Sequence, residues 1–146
     1  MRRILAILAG CFLIVAFAAP VASAGDGSYI TDLKILSATI DKTGQLHFTG
    51  TFYCQNMDYW NIEAQGQVIQ AIGKKTTIRG GVWGGTQCEP NGPTTFEAWS
   101  FPDWGMYGPG WVTLQIGFGS GGCDGPDNCW WNDVGGGQFY VKVVKK

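Results

Sequence analysis

The chain has 146 residues, with 10 Lys and Arg, 11 Asp and Glu and a single His, which gives a formal net charge of −1. A balance so close to neutral excludes the basic surface that nucleic-acid binding requires. The length suits one domain. Gly (23) and Trp (7) are both plentiful, which favours an all-β protein with many tight turns and large buried aromatic side chains.

The first 24 residues have the pattern of a secretory signal peptide. A basic start is followed by an apolar run up to Ala19 and by small residues that end at Ala24. Signal peptidase recognises that order of basic, apolar and small residues. We therefore expect cleavage after Ala24, a mature domain of residues 25–146, and a protein that is secreted, periplasmic or held at the cell envelope.

Two other fates of this leader are less well supported by its residues. Cys11 follows Leu8-Ala9-Gly10, which resembles a lipoprotein signal, but few apolar residues precede it and the residues after it stay apolar. The run is also short of the ~20 apolar residues that a membrane span needs. We predict no membrane span after cleavage.

The first strand predicted after the leader is Ile30–Ile40, and its pattern changes parity part-way. Leu33 and Ile35 share one face of this strand, whereas Leu36 and Ala38 share the other. A β-bulge would produce this switch, and so would a strand that crosses between two sheets.

Period-2 alternation continues along the rest of the chain and indicates further strands, separated by turns rich in Gly, Pro, Asn and Asp. Seven or eight short strands at this spacing predict a β-sandwich, most simply an immunoglobulin-like one, with a barrel as the alternative. The predicted strands are Gln45–Cys54, Tyr59–Ala64, Gln67–Ile72, Thr76–Trp83, Thr94–Phe101, Trp111–Phe118 and Gln138–Val144.

Four cysteines follow the leader: Cys54, Cys88, Cys123 and Cys129. An even number in a small exported domain predicts two disulfides, and zinc is disfavoured because no CxxC pair occurs. Four cysteines allow three pairings. The short spacing between Cys123 and Cys129 favours a bridge that closes one loop, which leaves Cys54 with Cys88. That second bridge would stabilise the fold by about 3–4 kcal/mol on the chain-entropy account.

The residues offer no recognisable catalytic arrangement, and we predict neither an enzyme nor a cofactor. The lone His47 lies among threonines on an outward strand face, no G-x-S-x-G motif occurs, and the disulfides leave no free thiol. Carboxylate pairs could hydrolyse glycosides, but no spacing places two of the candidates across one cleft. Those candidates are Glu63, Glu89, Glu97 and Asp103.

The acidic loop between Cys123 and Cys129, together with the residues that follow it, offers oxygen ligands of the kind that calcium prefers. The spacing differs from an EF-hand, and the same residue types are what a tight turn needs for its own backbone. We favour a stapled turn over a metal site. The weak calcium candidates are Asp124, Asp127, Asn128 and Asp133.

Aromatic side chains give the best functional lead. Trp60 alternates with apolar neighbours and is expected in the core, whereas Trp83 and Trp111 are expected to face outward. An exposed indole suits stacking on a sugar ring or anchoring a protein partner, although long loops can also use Trp to cover the ends of a sandwich. The candidate ligand-binding residues are Trp83, Trp104, Tyr107, Trp111, Trp130 and Trp131. The lysines at 142, 145 and 146 are interpreted as a solubilising end.

Short motifs give a resemblance to a known family. Gly50-Thr51-Phe52-Tyr53-Cys54, then Cys88, then the stretch from Tyr107 to Leu114 with its Pro-Gly turn resemble a family of uncharacterised exported bacterial domains with an immunoglobulin-like sandwich. The resemblance implies a Cys54–Cys88 bridge and an exported β-sandwich, and it brings no known activity. The Cys123/Cys129 loop departs from the family pattern.

These observations together predict a non-catalytic binding module. Its partner would be a glycan or a cell-envelope component, bound through exposed tryptophans. The alternative is a structural or protein-interaction domain, envelope-associated or toxin-like, that binds no small ligand.

Overall fold

The structure, a computed structural model, describes residues 27–57, 61–74, 76–123 and 129–146, and its regular elements there are all β-strands. The predicted signal peptide (1–24) lies outside the described residues. In chain order the strands are β1 (Tyr29–Ile40), β2 (Leu46–Gln55), β3 (Asn61–Ile72), β4 (Thr76–Gln87), β5 (Thr94–Ser100), β6 (Gly110–Cys123) and β7 (Cys129–Lys145).

The strands form one closed barrel in the order β1-β2-β5-β4-β3-β6-β7. Neighbours are antiparallel except β1 and β7, which pair in parallel where Thr39 faces Val144 and Ile40 faces Lys145. The all-β prediction is confirmed, and the barrel is the alternative that the sequence left open. The immunoglobulin-like sandwich is not confirmed. Alternation and turn spacing are the same in both folds, and only the long-range pairing of β1 with β7 separates them.

Two strands are longer than predicted. The predicted strands Tyr59–Ala64 and Gln67–Ile72 belong to the single strand β3, and β7 begins nine residues before the predicted Gln138. Gly135–Gly137 interrupt the apolar alternation in β7, so the pattern revealed only its second half. These glycines nevertheless belong to the strand, because their backbone pairs with β6.

Strand β1 contains the predicted irregularity. Its pairing with β2 shifts between Thr31 and Lys34 and again between Ile35 and Ser37. The two bulges let Leu33 and Ile35 pack inward together with Ala38 and Ile40, and they leave Leu36 exposed. Leu36 therefore lies on the opposite face from the one that simple alternation predicts.

Phenylalanine rings fill the barrel. Phe48, Phe52, Phe96 and Phe118 are all at most 1% exposed, and the rings of Phe96 and Phe118 meet edge to face with centroids 4.9 Å apart. A barrel of seven or eight strands has an interior just wide enough for side chains to fill. This packed interior leaves the outer face as the surface that can bind a ligand.

Inward-facing glycines make room for these rings. A Cβ on Gly50 would lie 2.4 Å from the Phe96 ring, and one on Gly80 would lie 1.9 Å from the carbonyl oxygen of Phe101. Neither distance allows a side chain, so a high glycine content serves close packing here as well as turns.

The two ends of the barrel are built from different connections. β1, β3, β5 and β7 finish at one end, which we call the lysine end, and β2, β4 and β6 finish at the other, the disulfide end. The predicted Cys54–Cys88 bridge is present, with an S–S distance of 2.07 Å. Cys123 and Cys129 are opposite each other in the backbone register, but their side chains, and hence the second predicted bridge, lie outside the described part of the structure.

Candidate functional site

Four aromatic rings form a continuous row on the outer face of β2, β5 and β4. The ring of Trp99 stacks on His47 with centroids 5.3 Å apart, and on Trp83 with centroids 5.2 Å apart. Trp83 also stacks on Phe101 at 6.4 Å, with only 15° between the planes. We call this row, His47–Trp99–Trp83–Phe101, the aromatic ladder.

Strand register places these rings side by side. Trp99 is directly opposite His47 on β2 and directly opposite Trp83 on β4. Alternation then turns Phe96 and Ala98 inward and Trp99 outward. β4 and β5 pair only over Val82–Gly85 and Glu97–Ser100, so the ladder occupies the short stretch in which three strands share one register.

The ladder is exposed enough to bind a ligand. Trp83 is 51% exposed and Phe101 is 50% exposed, whereas His47 and Trp99 are half-buried. Ring carbons in contact lie about 3.5–4.0 Å apart, so centroid distances above 5 Å mean that the rings are offset and overlap only in part. Each ring thus keeps part of a flat apolar face open to solvent.

Polar groups border the ladder. Glu97 Oε2 lies 3.3 Å from His47 Nε2, and both residues are solvent-accessible. Gln65 on β3 is opposite Trp83 and is exposed, and Thr49 shares a 2.7 Å hydroxyl hydrogen bond with Ser37. The border therefore offers a carboxylate, an amide and hydroxyls beside the apolar rings. The His47–Glu97 pair itself adds little to stability, because surface ion pairs contribute about 0–1 kcal/mol.

A second aromatic stack lies on β6 and β7. Trp111 and Tyr140 have centroids 4.7 Å apart and planes inclined by only 5°, and both side chains are about half exposed. The exposed Lys142 is directly opposite Trp111. Strand β3 separates this stack from the strands of the ladder.

A row of glutamines crosses the outer face between the two stacks. Gln67 Nε2 donates a hydrogen bond to Gln115 Oε1, and Gln115 Nε2 donates one to Gln138 Oε1 at 2.9 Å. These residues are directly opposite one another on β3, β6 and β7. The centre of the outer face between the two stacks is thus a row of uncharged amides, with the exposed charges of Glu63 on β3 and Arg79 on β4 beside it.

Tyr107 is not available as a ligand-binding residue, contrary to the sequence prediction. It is only 3% exposed, its hydroxyl lies 3.1 Å from Ser100 Oγ, and burial raises the pKa of its hydroxyl. The inward-facing Gly80 leaves the space that the Tyr107 ring end occupies. A loop residue that folds back into the barrel gives no periodic signal, so the sequence could not reveal this burial.

The other predicted site residues are distributed over both ends. Trp104, 56% exposed, lies in the connection at the lysine end. Trp131 lies toward the disulfide end, where its Nε1 donates to Asp133 Oδ1 at 3.2 Å and its ring covers Gly119. Outward Trp83 and Trp111 are confirmed as exposed. The calcium candidates Asp124, Asp127 and Asn128, the side chain of Trp130, and Trp60, which was expected in the core, lie outside the described residues.

Two other kinds of site, a metal site and a surface pocket, have less support among the described residues than the ladder has. Within the described ranges, no group of three or more His, Cys, Asp and Glu residues lies close enough to hold a metal ion. An open surface depression of about 520 Å³ follows the β4–β5 turn between Thr86 and Thr95. No aromatic ring lines it, and its polar groups are threonine hydroxyls, amides and the Glu89 carboxylate, so it offers less stacking surface than the ladder.

Comparison with known proteins adds no assignment: no family model, curated protein or solved structure matches this chain. Within the described residues, no helix is long and apolar enough to cross a membrane.

Proposed function

We propose that this protein is an exported, non-catalytic binding module that recognises a neutral carbohydrate through the aromatic ladder. The observation that supports this proposal best is the row of partly open, near-parallel rings formed by Trp99, Trp83 and Phe101. Trp83 was predicted from the sequence as a ligand-binding residue, whereas the other rings of this surface became apparent only from the strand register.

The ring geometry suits a sugar chain. The C–H-bearing face of a pyranose is flat and weakly positive, and it packs on the negative face of an aromatic ring. An offset row presents several such faces in succession, so consecutive sugar units have consecutive platforms. The rings already contact one another, so little side-chain entropy is lost on binding.

The polar border supplies orientation. Sugar hydroxyls both donate and accept hydrogen bonds, and the carboxylate of Glu97 and the amide of Gln65 provide both kinds of partner beside the rings. A carboxylate at the edge of the ladder disfavours an acidic sugar, because two like charges would be brought together. The expected ligand is therefore uncharged.

Titration with soluble neutral oligosaccharides, including glucan, xylan, mannan and chitin fragments, tests this proposal. Intrinsic Trp fluorescence should shift saturably with at least one of them. Trp83→Ala should abolish the shift, and Glu97→Gln should weaken it. The matched control is Trp111→Ala, which removes an equally exposed indole outside the ladder and should leave binding unchanged.

Three outcomes would contradict the proposed function or move the binding site. A flat response from folded, disulfide-bonded protein across the whole panel would refute the carbohydrate proposal and favour the structural or protein-interaction alternative. Binding lost in Trp111→Ala but kept in Trp83→Ala would move the site to the second stack. Release of reducing sugar during the titration would show an enzyme.

A further inference from the structure

Charge is segregated between the two ends of the barrel. Among the described residues, six exposed cationic side chains lie at or near the lysine end, where three carboxylates, Asp41, Glu97 and Asp103, accompany them. The cations are Lys42, Lys74, Arg79, Lys142, Lys145 and Lys146. They come from three separate parts of the sequence, so the barrel topology gathers them.

Carboxylates dominate toward the opposite end. Among the described residues there, the one cation is Lys34, on β1. The carboxylates are Asp32, Glu63, Glu89 and Asp133. The described charges are therefore mostly positive at one end and mostly negative at the other, and the two ends should be attracted to surfaces of opposite sign.

Two large apolar side chains protrude at the lysine end. Trp104 and Met106 are 56% and 59% exposed, among the highest values of any large apolar side chain described. They lie in the connection between β5 and β6, and Met106 rests on Gly44 in the β1–β2 turn. We call these two side chains the apolar wedge.

The backbone around the wedge is held firmly. On one side of it, the amide of Asp103 donates to the carbonyl of Arg79 at 2.8 Å. On the other side, Gly108 exchanges two hydrogen bonds with buried Gln70, at 2.7 and 2.9 Å, and Tyr107 is anchored on Ser100. The wedge is thus presented by a braced loop, which limits the entropy lost when its side chains bind.

This combination matches the chemistry of an anionic bilayer surface. Trp is the side chain best suited to the headgroup region, where its ring is apolar and its N–H can still be solvated. Lysines near such a surface are attracted to anionic lipids. Ile72 and Val144, both exposed at the same end, extend the apolar contact around the wedge.

We propose that the lysine end docks on a membrane surface containing anionic lipids, with Trp104 and Met106 inserted among the headgroups. A soluble acidic polymer would match the lysines but would leave the exposed apolar wedge without a partner, so the bilayer accounts for more of the observed surface. This inference concerns the lysine end, whereas the ladder lies on the outer wall of the barrel and reaches that end at Phe101, directly after β5. It does not depend on carbohydrate binding. It also reinterprets the C-terminal lysines, which the sequence suggested were only solubilising.

Vesicle binding of the mature, oxidised protein tests the proposal. We expect the protein to co-sediment with vesicles of phosphatidylcholine and phosphatidylglycerol, and to bind pure phosphatidylcholine about tenfold more weakly or worse. High salt should weaken binding, because the charge attraction is screened. Lipids brominated near the headgroup should quench Trp fluorescence in the wild-type protein and much less in Trp104→Phe.

Matched variants separate the two parts of the surface. Lys74→Glu with Lys145→Glu should reduce binding to anionic vesicles by about tenfold or more, and Trp104→Ala with Met106→Ala should reduce it on the order of tenfold through lost apolar burial. Lys34→Glu removes a charge from the middle of β1, and Tyr29→Ala removes an exposed aromatic side chain from the start of β1 at the disulfide end; both should bind like wild type. Trp83→Ala, which should lose glycan binding, should also keep vesicle binding.

Several results would overturn the inference. Equal binding to neutral and anionic vesicles would show that the lysines do not contribute to binding. Absence of quenching by brominated lipid would show that the wedge does not insert among the headgroups. Binding to soluble polyglutamate that matches vesicle binding in strength, and that survives the wedge substitutions, would show a polyanion site instead. Thermal unfolding of each variant shows whether a loss reflects an unfolded protein.

Discussion

The inside and the outside of the barrel use aromatic rings in opposite ways. Inside, Phe52, Phe96 and Phe118 are fully buried, and Phe118 meets the other two at angles of 60° and 75°. Outside, the ladder rings are nearly parallel and about half of Trp83 stays exposed. Ring angle alone does not separate the two sets, because the buried rings of Phe52 and Phe96 also stack, at 26°. Burial separates them: the inner rings fill a volume, whereas the exposed ladder rings present faces to solvent, a difference that composition alone does not reveal.

Substitutions inside the barrel should therefore cost the most stability. Phe118→Ala removes a fully buried ring that contacts two others, and the cavity should lower the free energy of unfolding by about 3–5 kcal/mol. Urea denaturation followed by circular dichroism measures this. If Phe118→Ala lowered the free energy of unfolding by less than Trp83→Ala does, the buried rings would not be the main aromatic contribution to stability.

The disulfide should have the next largest effect. It links β2 to the residue just after β4, across β5, and so holds together the three strands that carry the ladder. Replacing both Cys54 and Cys88 by Ser should lower the free energy of unfolding by about 3–4 kcal/mol. The comparison is with the oxidised wild-type protein, relative to which an unchanged denaturation midpoint would contradict the expected role.

Two adjacent glycines on β4 allow the inner and outer faces of the barrel to be compared at neighbouring positions. A Cβ on inward-facing Gly80 would collide with the carbonyl oxygen of Phe101 and the hydroxyl of Tyr107, whereas nothing lies within 4 Å of one on outward-facing Gly81. Gly80→Ala should cost about 1–3 kcal/mol of unfolding free energy. Gly81→Ala should leave stability unchanged or raise it by about 0.4–1 kcal/mol. Equal effects would contradict the inward orientation of Gly80.

A ladder substitution should have a smaller effect on stability than on binding. Trp83→Ala loses the stacking contacts with Trp99 and Phe101, which should cost about 0.5–1.5 kcal/mol. The same denaturation experiment measures this loss. A cost as large as that of Phe118→Ala would make the ladder part of the structural core and weaken its assignment as a binding surface.

The smallest effect should come from Asp41, in the turn at the lysine end. Hydrogen bonds from Thr43 and from the backbone amides of Thr43, Gln45 and Gly44 lower the pKa of this carboxyl below its usual value of 3.8. The stabilising contribution is thus present above pH 3.8 and is lost as pH falls through the lowered pKa. In Asp41→Asn, the denaturation midpoint should depend less on pH between about pH 2 and 4 than it does in the wild-type protein. Parallel curves of midpoint against pH for the two proteins would contradict this.

Local patterns in the sequence predict the strands and the orientation of several side chains. Alternation alone placed Trp83 and Trp111 outside. The parity change in β1 indicated either a bulge or a crossing between two sheets, and the structure contains bulges. These properties depend on residues within one strand, where side chains alternate in direction. Strand closure depends on β1 meeting β7 across the whole chain, which local patterns do not encode.

The ladder shows the same limit at the candidate site. His47 is isolated in sequence among threonines, and Trp99 lies in a strand with a weak pattern, so neither gave a signal. They become neighbours only because β5 lies between β2 and β4 in the barrel. The burial of Tyr107 and the gathering of the lysines at one end arise from the same long-range arrangement.

The parallel pairing of β1 with β7 has a consequence for how the chain reaches its native state. Thr39 and Val144 are at opposite ends of the domain sequence, yet their contact closes the sheet. Until the last strand arrives, β1 and β6 both have an unpaired edge that could pair with another chain. Contacts of such long sequence separation form slowly, so we expect closure to be the late step of folding and the stage at which aggregation competes most strongly.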